Sequence, residues 1–204
     1  MGLRRVCVFC GSSIGARGAY ADAAATLGRE LAARDVGLVY GGAGVGLMRV
    51  VAEACRAAGG RVTGVIPESL VEAEVADREV DDLRIVGTMH ERKALMAELA
   101  SGFVALPGGF GTLEEFCEVL TWSQLGLHVP AKPCALLDVD GFYSALLELF
   151  DRGVAEGFIR PEHRSLVLAA TDPSGALDVL AAWEPPPPTP KWVDGPVPRH
   201  PGPA

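Results

Sequence analysis

The sequence predicts an α/β fold of the Rossmann-like, doubly wound kind: a mostly parallel sheet with helices on both faces. Three observations carry this. Short apolar runs without strict alternation recur along the chain, as expected of strands covered on both faces. Between them lie stretches with apolar residues at helical spacing, so strand and helix patterns alternate. Glycine-containing segments follow three of the apolar runs, where the strand-to-helix turns of such folds fall.

The elements follow in order. Residues 5–10 read as a buried strand ending at Gly11-Ser12-Ser13, and residues 20–33 as a helix rich in alanine and leucine. Residues 36–40 form a second strand that runs into Gly41-Gly42-Ala43-Gly44, with a helix over 47–58 stopped by Gly59-Gly60. A third strand covers 61–66 and is closed by Pro67, after which 68–82 is acidic and irregular. Then come a short strand at 83–86, a helix at 89–100 and a strand at 102–106 ending in Pro107-Gly108-Gly109. A helix over 113–125, a strand at 133–137, a helix at 142–155, a strand at 166–170 and a helix at 175–183 complete the pattern. Beyond Trp183 the chain turns proline-rich and loses apolar periodicity. The expected organisation is one Rossmann-like domain at 1–183 and an extended or disordered tail at 184–204.

Composition narrows the partners. Net charge is −8, so the overall field repels a nucleic-acid polymer. A small anion is still accommodated if a nest of N–H groups and a few cations overrules that field locally. No apolar run is long enough for a membrane span or a signal peptide, and a cytoplasmic setting is expected. Cys7 and Cys10 have C-x-x-C spacing but sit in a strand-like run, where buried small hydrophobes are the plainer reading. The four histidines are scattered without ligand spacing, so no metal site is expected.

Two motifs carry chemistry. Residues 107–115, Pro-Gly-Gly-Phe-Gly-Thr-Leu-Glu-Glu, follow a strand and open a helix. Glycines admit a ligand close to the backbone, and a helix start offers unpaired N–H donors and partial positive charge to a phosphate. Thr112 adds a hydroxyl. Thr112-x-x-Glu115 is also the pattern of a capping box, which explains the threonine and glutamate but not the three glycines. The glycines at 41–46 form neither a dinucleotide fingerprint nor a P-loop. In the second motif, Met89, Arg92, Lys93 and Met96 share one helix face. Two cations on an apolar face are costly unless paired or turned to a ligand; the alternative is snorkelling at the core's edge.

Together these segments resemble the LONELY GUY family of cytokinin-activating phosphoribohydrolases, whose relatives have also been called possible lysine decarboxylases. The resemblance spans residues 4–183. It rests on P-G-G-x-G-T-x-x-E at 107–115, M-x-x-R-K at 89–93, the Cys10-Gly-Ser-Ser and Tyr40-Gly-Gly turns, and the Leu120-Thr-Trp-Ser-Gln-Leu-Gly helix end. It implies a homodimer with active sites near the interface. It also implies hydrolysis of the N-glycosidic bond of a nucleoside 5′-monophosphate to free base and ribose 5-phosphate, without a cofactor. Arg92 and Glu115 are then the catalytic pair. Glu74, Lys93, Gly108, Gly109, Phe110, Gly111, Thr112, Leu113, Glu114 and Thr121 are then substrate contacts. Three rivals remain: an AMP nucleosidase without cytokinin preference, a non-catalytic carrier of the molybdenum-cofactor type, and a pyridoxal-phosphate decarboxylase using Lys93.

Overall fold

The computed structural model describes residues 2–72, 76–80, 82–128 and 131–185. Seven strands form one sheet of order β4-β3-β2-β1-β5-β6-β7, and every pairing is parallel. The strands are β1 (Arg5–Phe9), β2 (Gly37–Tyr40), β3 (Val62–Pro67), β4 (Asp82–Val86), β5 (Gly102–Ala105), β6 (Cys134–Leu137) and β7 (Val167–Ala170). Each lies on a run read from the sequence. The five central strands are buried almost throughout because helices cover both faces.

One layer comprises α1 (Gly18–Ala33), α2 (Gly46–Ala57) and α8 (Pro173–Ala182), packed over Val8, Leu38, Tyr40 and Val104. The other comprises α4 (Met89–Leu99), α5 (Phe110–Gln124) and α6 (Ser144–Ala155), packed over Cys7, Val39, Val65 and Phe103. Short helices α3 (Glu68–Glu72) and α7 (Pro161–Arg164), and a 3-10 turn at Val139–Gly141, lie in stretches where no apolar period announces them. The tail expected from residue 184 lies outside the described residues except for the exposed Glu184 and Pro185. Among the described residues no helix is long and apolar enough to cross a membrane.

The direction of winding reverses between β1 and β5, since β2, β3 and β4 extend one way and β6 and β7 the other. Such a switch point leaves a crevice beyond the carboxyl ends of the strands. Three loops meet there and are stitched by main-chain bonds. Gly11 N donates to Pro107 O (3.1 Å), and Leu47 N donates to Gly11 O (3.0 Å).

Candidate active site

The helix after β5 starts earlier than the sequence pattern suggested. α5 begins at Phe110, with Gly109 as an N-cap that supplies no side-chain bond. Thr112 therefore lies inside the helix, 4% exposed, and is not a cap; the capping-box reading of Thr112 and Glu115 is overturned. A real capping box sits one helix earlier. Thr88 Oγ1 accepts from Glu91 N (3.1 Å), and Glu91 Oε2 accepts from Gly87 N (2.8 Å), which fixes the start of α4.

The glycines of the loop divide into two groups. A Cβ on Gly108 would stand 2.1 Å from Thr112 Oγ1 and 2.9 Å from Gly11 N, so packing alone demands glycine there. Gly109 and Gly111 are different. A Cβ at either would meet no atom within 4 Å, and neither has a positive φ. Turn geometry and internal packing thus explain neither glycine. What they leave is open space before the first turn of α5, whose leading N–H groups have no intrahelical acceptor. That is the geometry of an anion site at a helix start. Phe110 is 94% exposed at its rim, and Leu113 turns inward onto the core under α5. A cavity of about 270 Å³ opens beside the loop, between Ser12, Ser13, Tyr20, Leu47, Gly108 and Gly109.

Glu115 stands on the buried side of α5, its side chain 13% exposed and 3.7 Å from Arg92 Nη1. Burial pushes its carboxyl up to about 7, Arg92 pulling the other way and Glu114 adding to the rise. Arg92 is 9% exposed and held at the strand ends: Nε donates to Val65 O and Nη2 to Gly41 O, both at 3.1 Å. This is not a snorkelling cation. Gly41 is glycine for its sake, since a Cβ there would lie 1.9 Å from Arg92 Nη2.

Lys93 bridges α4 to α5 through Glu114 (2.5 Å) and Glu118 (3.0 Å). Burial lowers its basicity, but the two carboxylates more than offset this and its pKa rises above the usual lysine value. Thr121 lies apart from the loop. It donates to Cys117 O and lines a groove with Gln124, Phe150 and Ile159. Glu74 lies outside the described residues. Cys7 and Cys10 are buried free thiols whose pKa values burial raises, in keeping with small hydrophobes.

The Ser12-Ser13 turn, read from the sequence as one of the strand-end turns, lines the cavity beside the loop although it was not among the expected site residues.

The chain is similar to known proteins over most of its length. Residues 48–180 match the family described as possible lysine decarboxylase. A probable cytokinin riboside 5′-monophosphate phosphoribohydrolase of Oryza sativa subsp. japonica is 56% identical over 182 residues, 89% of this chain and 79% of that one. A cytokinin riboside 5′-monophosphate phosphoribohydrolase of Arabidopsis thaliana is 47% identical, covering 89% of this chain and 84% of that one. Among solved structures, the molybdenum cofactor binding protein of Rippkaea orientalis superposes with a TM-score of 0.65 at 21% identity, over 88% of this chain and 96% of that one. That likeness shows the fold alone.

Proposed function

Because the chain belongs to the cytokinin riboside 5′-monophosphate phosphoribohydrolase family, the LONELY GUY family, we propose that it hydrolyses the N-glycosidic bond of N6-modified adenosine 5′-monophosphates. The products are the free base and ribose 5-phosphate. One observation carries the reading at the site: a buried carboxylate, Glu115, beside a fixed guanidinium, Arg92, behind a helix start whose Gly109 and Gly111 serve no internal need.

Breaking the bond to the base builds positive charge on the ribose and negative charge on the leaving base. Ionised Glu115 stabilises the first and orients or deprotonates the attacking water. A guanidinium is a poor proton donor, so Arg92 is not the acid. Its role is to stabilise the departing base or the phosphate, with Nε and Nη2 already committed to Val65 and Gly41. The N–H groups at Gly109, Phe110 and Gly111 receive the phosphate, assisted by the dipole of α5. Gly108 and Thr112 set the shape of that loop, and Glu114 and Lys93 tie it to α4.

A pyridoxal-phosphate decarboxylase reading fits poorly. A lysine that forms a Schiff base must be available as a neutral amine, whereas Lys93 is held charged between two carboxylates. A non-catalytic carrier needs an anion nest but no carboxylate raised toward neutrality. Further parts of the proposal are a cytoplasmic setting and a homodimer that brings Thr121 near a partner's site. In support of the dimer, Leu127, Leu149 and Phe158 expose large apolar surface at the end of α5 and on and just beyond α6. Sedimentation velocity tests it, and a monomer at micromolar concentration would end that part.

The deciding measurement is release of base from AMP and from its N6-isopentenyl form. Faster release from the isopentenyl form is expected. Equal rates would make the protein an AMP nucleosidase, and release from neither would leave a carrier.

A further inference from the structure

Asp77 is 7% exposed and lies outside the chemistry described above. A buried carboxylate is costly unless several partners hold it. Here its Oδ2 accepts from the Tyr40 hydroxyl (3.0 Å) and its Oδ1 from Glu79 N (3.1 Å). Arg56 Nη1, buried and without a hydrogen bond, stands 3.7 Å from Oδ1. Asp77 N donates to Gly42 O (2.8 Å), and Ala76 forms an antiparallel bridge with Ala43.

These contacts bracket one residue. The side chain of Asp77 fixes Tyr40, and its main chain fixes Gly42. Between them lies Gly41, whose carbonyl accepts from Arg92 Nη2 and whose missing Cβ makes room for that nitrogen. Tyr40 is fully buried, its ring lying close to Gly64 of β3, so its hydroxyl has little freedom to seek another acceptor.

We infer that Asp77 is a positioning residue for the reaction: through Tyr40 and Gly42 it sets the Gly41 carbonyl, and through that carbonyl the guanidinium of Arg92. The inference rests on the hydrolase reading for its kinetic consequence but not for its structural one. A displaced guanidinium still attracts a bound anion, while the transition state needs its exact placement. The loss therefore falls on kcat more than on KM.

The test compares Asp77→Ala, Asp77→Asn and Tyr40→Phe with the parent protein, using as substrate whichever of AMP and its N6-isopentenyl form releases base faster. Asp77→Ala and Tyr40→Phe should each lower kcat about tenfold or more with KM within about twofold, since small misplacements are costly at a reacting centre. The double variant should be no worse than either single one, because both break the same link. Asp77→Asn keeps an acceptor for the tyrosine and should recover most of kcat. A second readout needs no turnover: solvent exchange of the Arg92 Nε–H, followed by nitrogen-edited NMR, should quicken in Asp77→Ala and Tyr40→Phe and not in Asp77→Asn. Unchanged kcat with a lowered Tm would make Asp77 a stability residue only, and unchanged exchange would overturn the positioning role. If Asp77→Ala does not fold, Tyr40→Phe, a single-oxygen deletion, decides alone. If the parent releases no base, the hydrolase reading falls while the exchange data still judge the placement of Arg92.

Discussion

The burial of Glu115 costs the fold stability. Its carboxyl ordinarily titrates near 4.5 and is pushed up to about 7 in the folded chain. Between those values the native state holds a proton that the unfolded state releases, so stability declines as pH rises through the window and stays lowered above it. The penalty is about 3 kcal/mol, from roughly 1.4 kcal/mol per pH unit. Glu115→Gln should therefore resist urea better than the parent at pH 8 and no better at pH 4.5. It should keep nucleotide affinity while losing most turnover. Unchanged turnover would remove the carboxylate from the mechanism. The proposed mechanism uses the ionised form, so kcat/KM of the parent should rise with pH to a plateau above about 7. Arg92→Ala should move that rise to higher pH, because Arg92 is the group that lowers the Glu115 pKa, and should also weaken nucleotide binding. A pH profile that does not move would show that the two side chains are uncoupled.

The start of α5 gives a sharper test of which glycines face the substrate. Gly111→Ala has room and an ordinary backbone, so it should leave stability unchanged or raise it by up to about 1 kcal/mol through helix propensity. Its methyl group should still raise KM by crowding the phosphate. Gly108→Ala should behave oppositely in the melt, lowering Tm through its clash with Thr112. Equal KM in Gly111→Ala and the parent would move the anion away from this helix. Sequence reading located α5 but misplaced its start by three residues. The T-x-x-E pattern at 112–115 imitates a cap, whereas the real cap residue, Gly109, has no side chain to announce itself. Conversely, Thr88 and Glu91 form a true capping box in the segment that also carries Arg92 and Lys93. Pairing of Lys93 with Glu114 and Glu118 was not legible either, since it depends on how α4 and α5 lie side by side.

At the scale of the molecule, strand positions and the placing of ligand loops at the strand ends were readable from the apolar runs and their glycines. The order of strands, and with it the crevice between β1 and β5, was not, because nothing local encodes which runs become neighbours. His128 belongs to this scale. Its ring stacks on Phe103 and meets Trp122 edge-on, joining the end of α5 to the sheet. Burial lowers its pKa to about 4, so the stability it supports is complete above the usual 6.5 and drains away as pH falls through 4. Glu115 acts in the opposite sense over nearly the same range. The parent should show a shallow stability profile between pH 6.5 and 4.5, and Glu115→Gln a steep one, by urea titration across that interval. Matching slopes would mean that Glu115 does not carry the raised pKa.

The stitching of Gly11 to Pro107 and of Leu47 to Gly11 bears on how such a protein can diverge. A lengthened or shortened loop at any one of the three strand ends disturbs the other two, so these turns can drift only together. Among the described residues, the stretch between β3 and β4 is tied to the second of these turns by the Ala43–Ala76 bridge and the contacts of Asp77. A library aimed at a new leaving base should therefore leave the three turns and Asp77 alone.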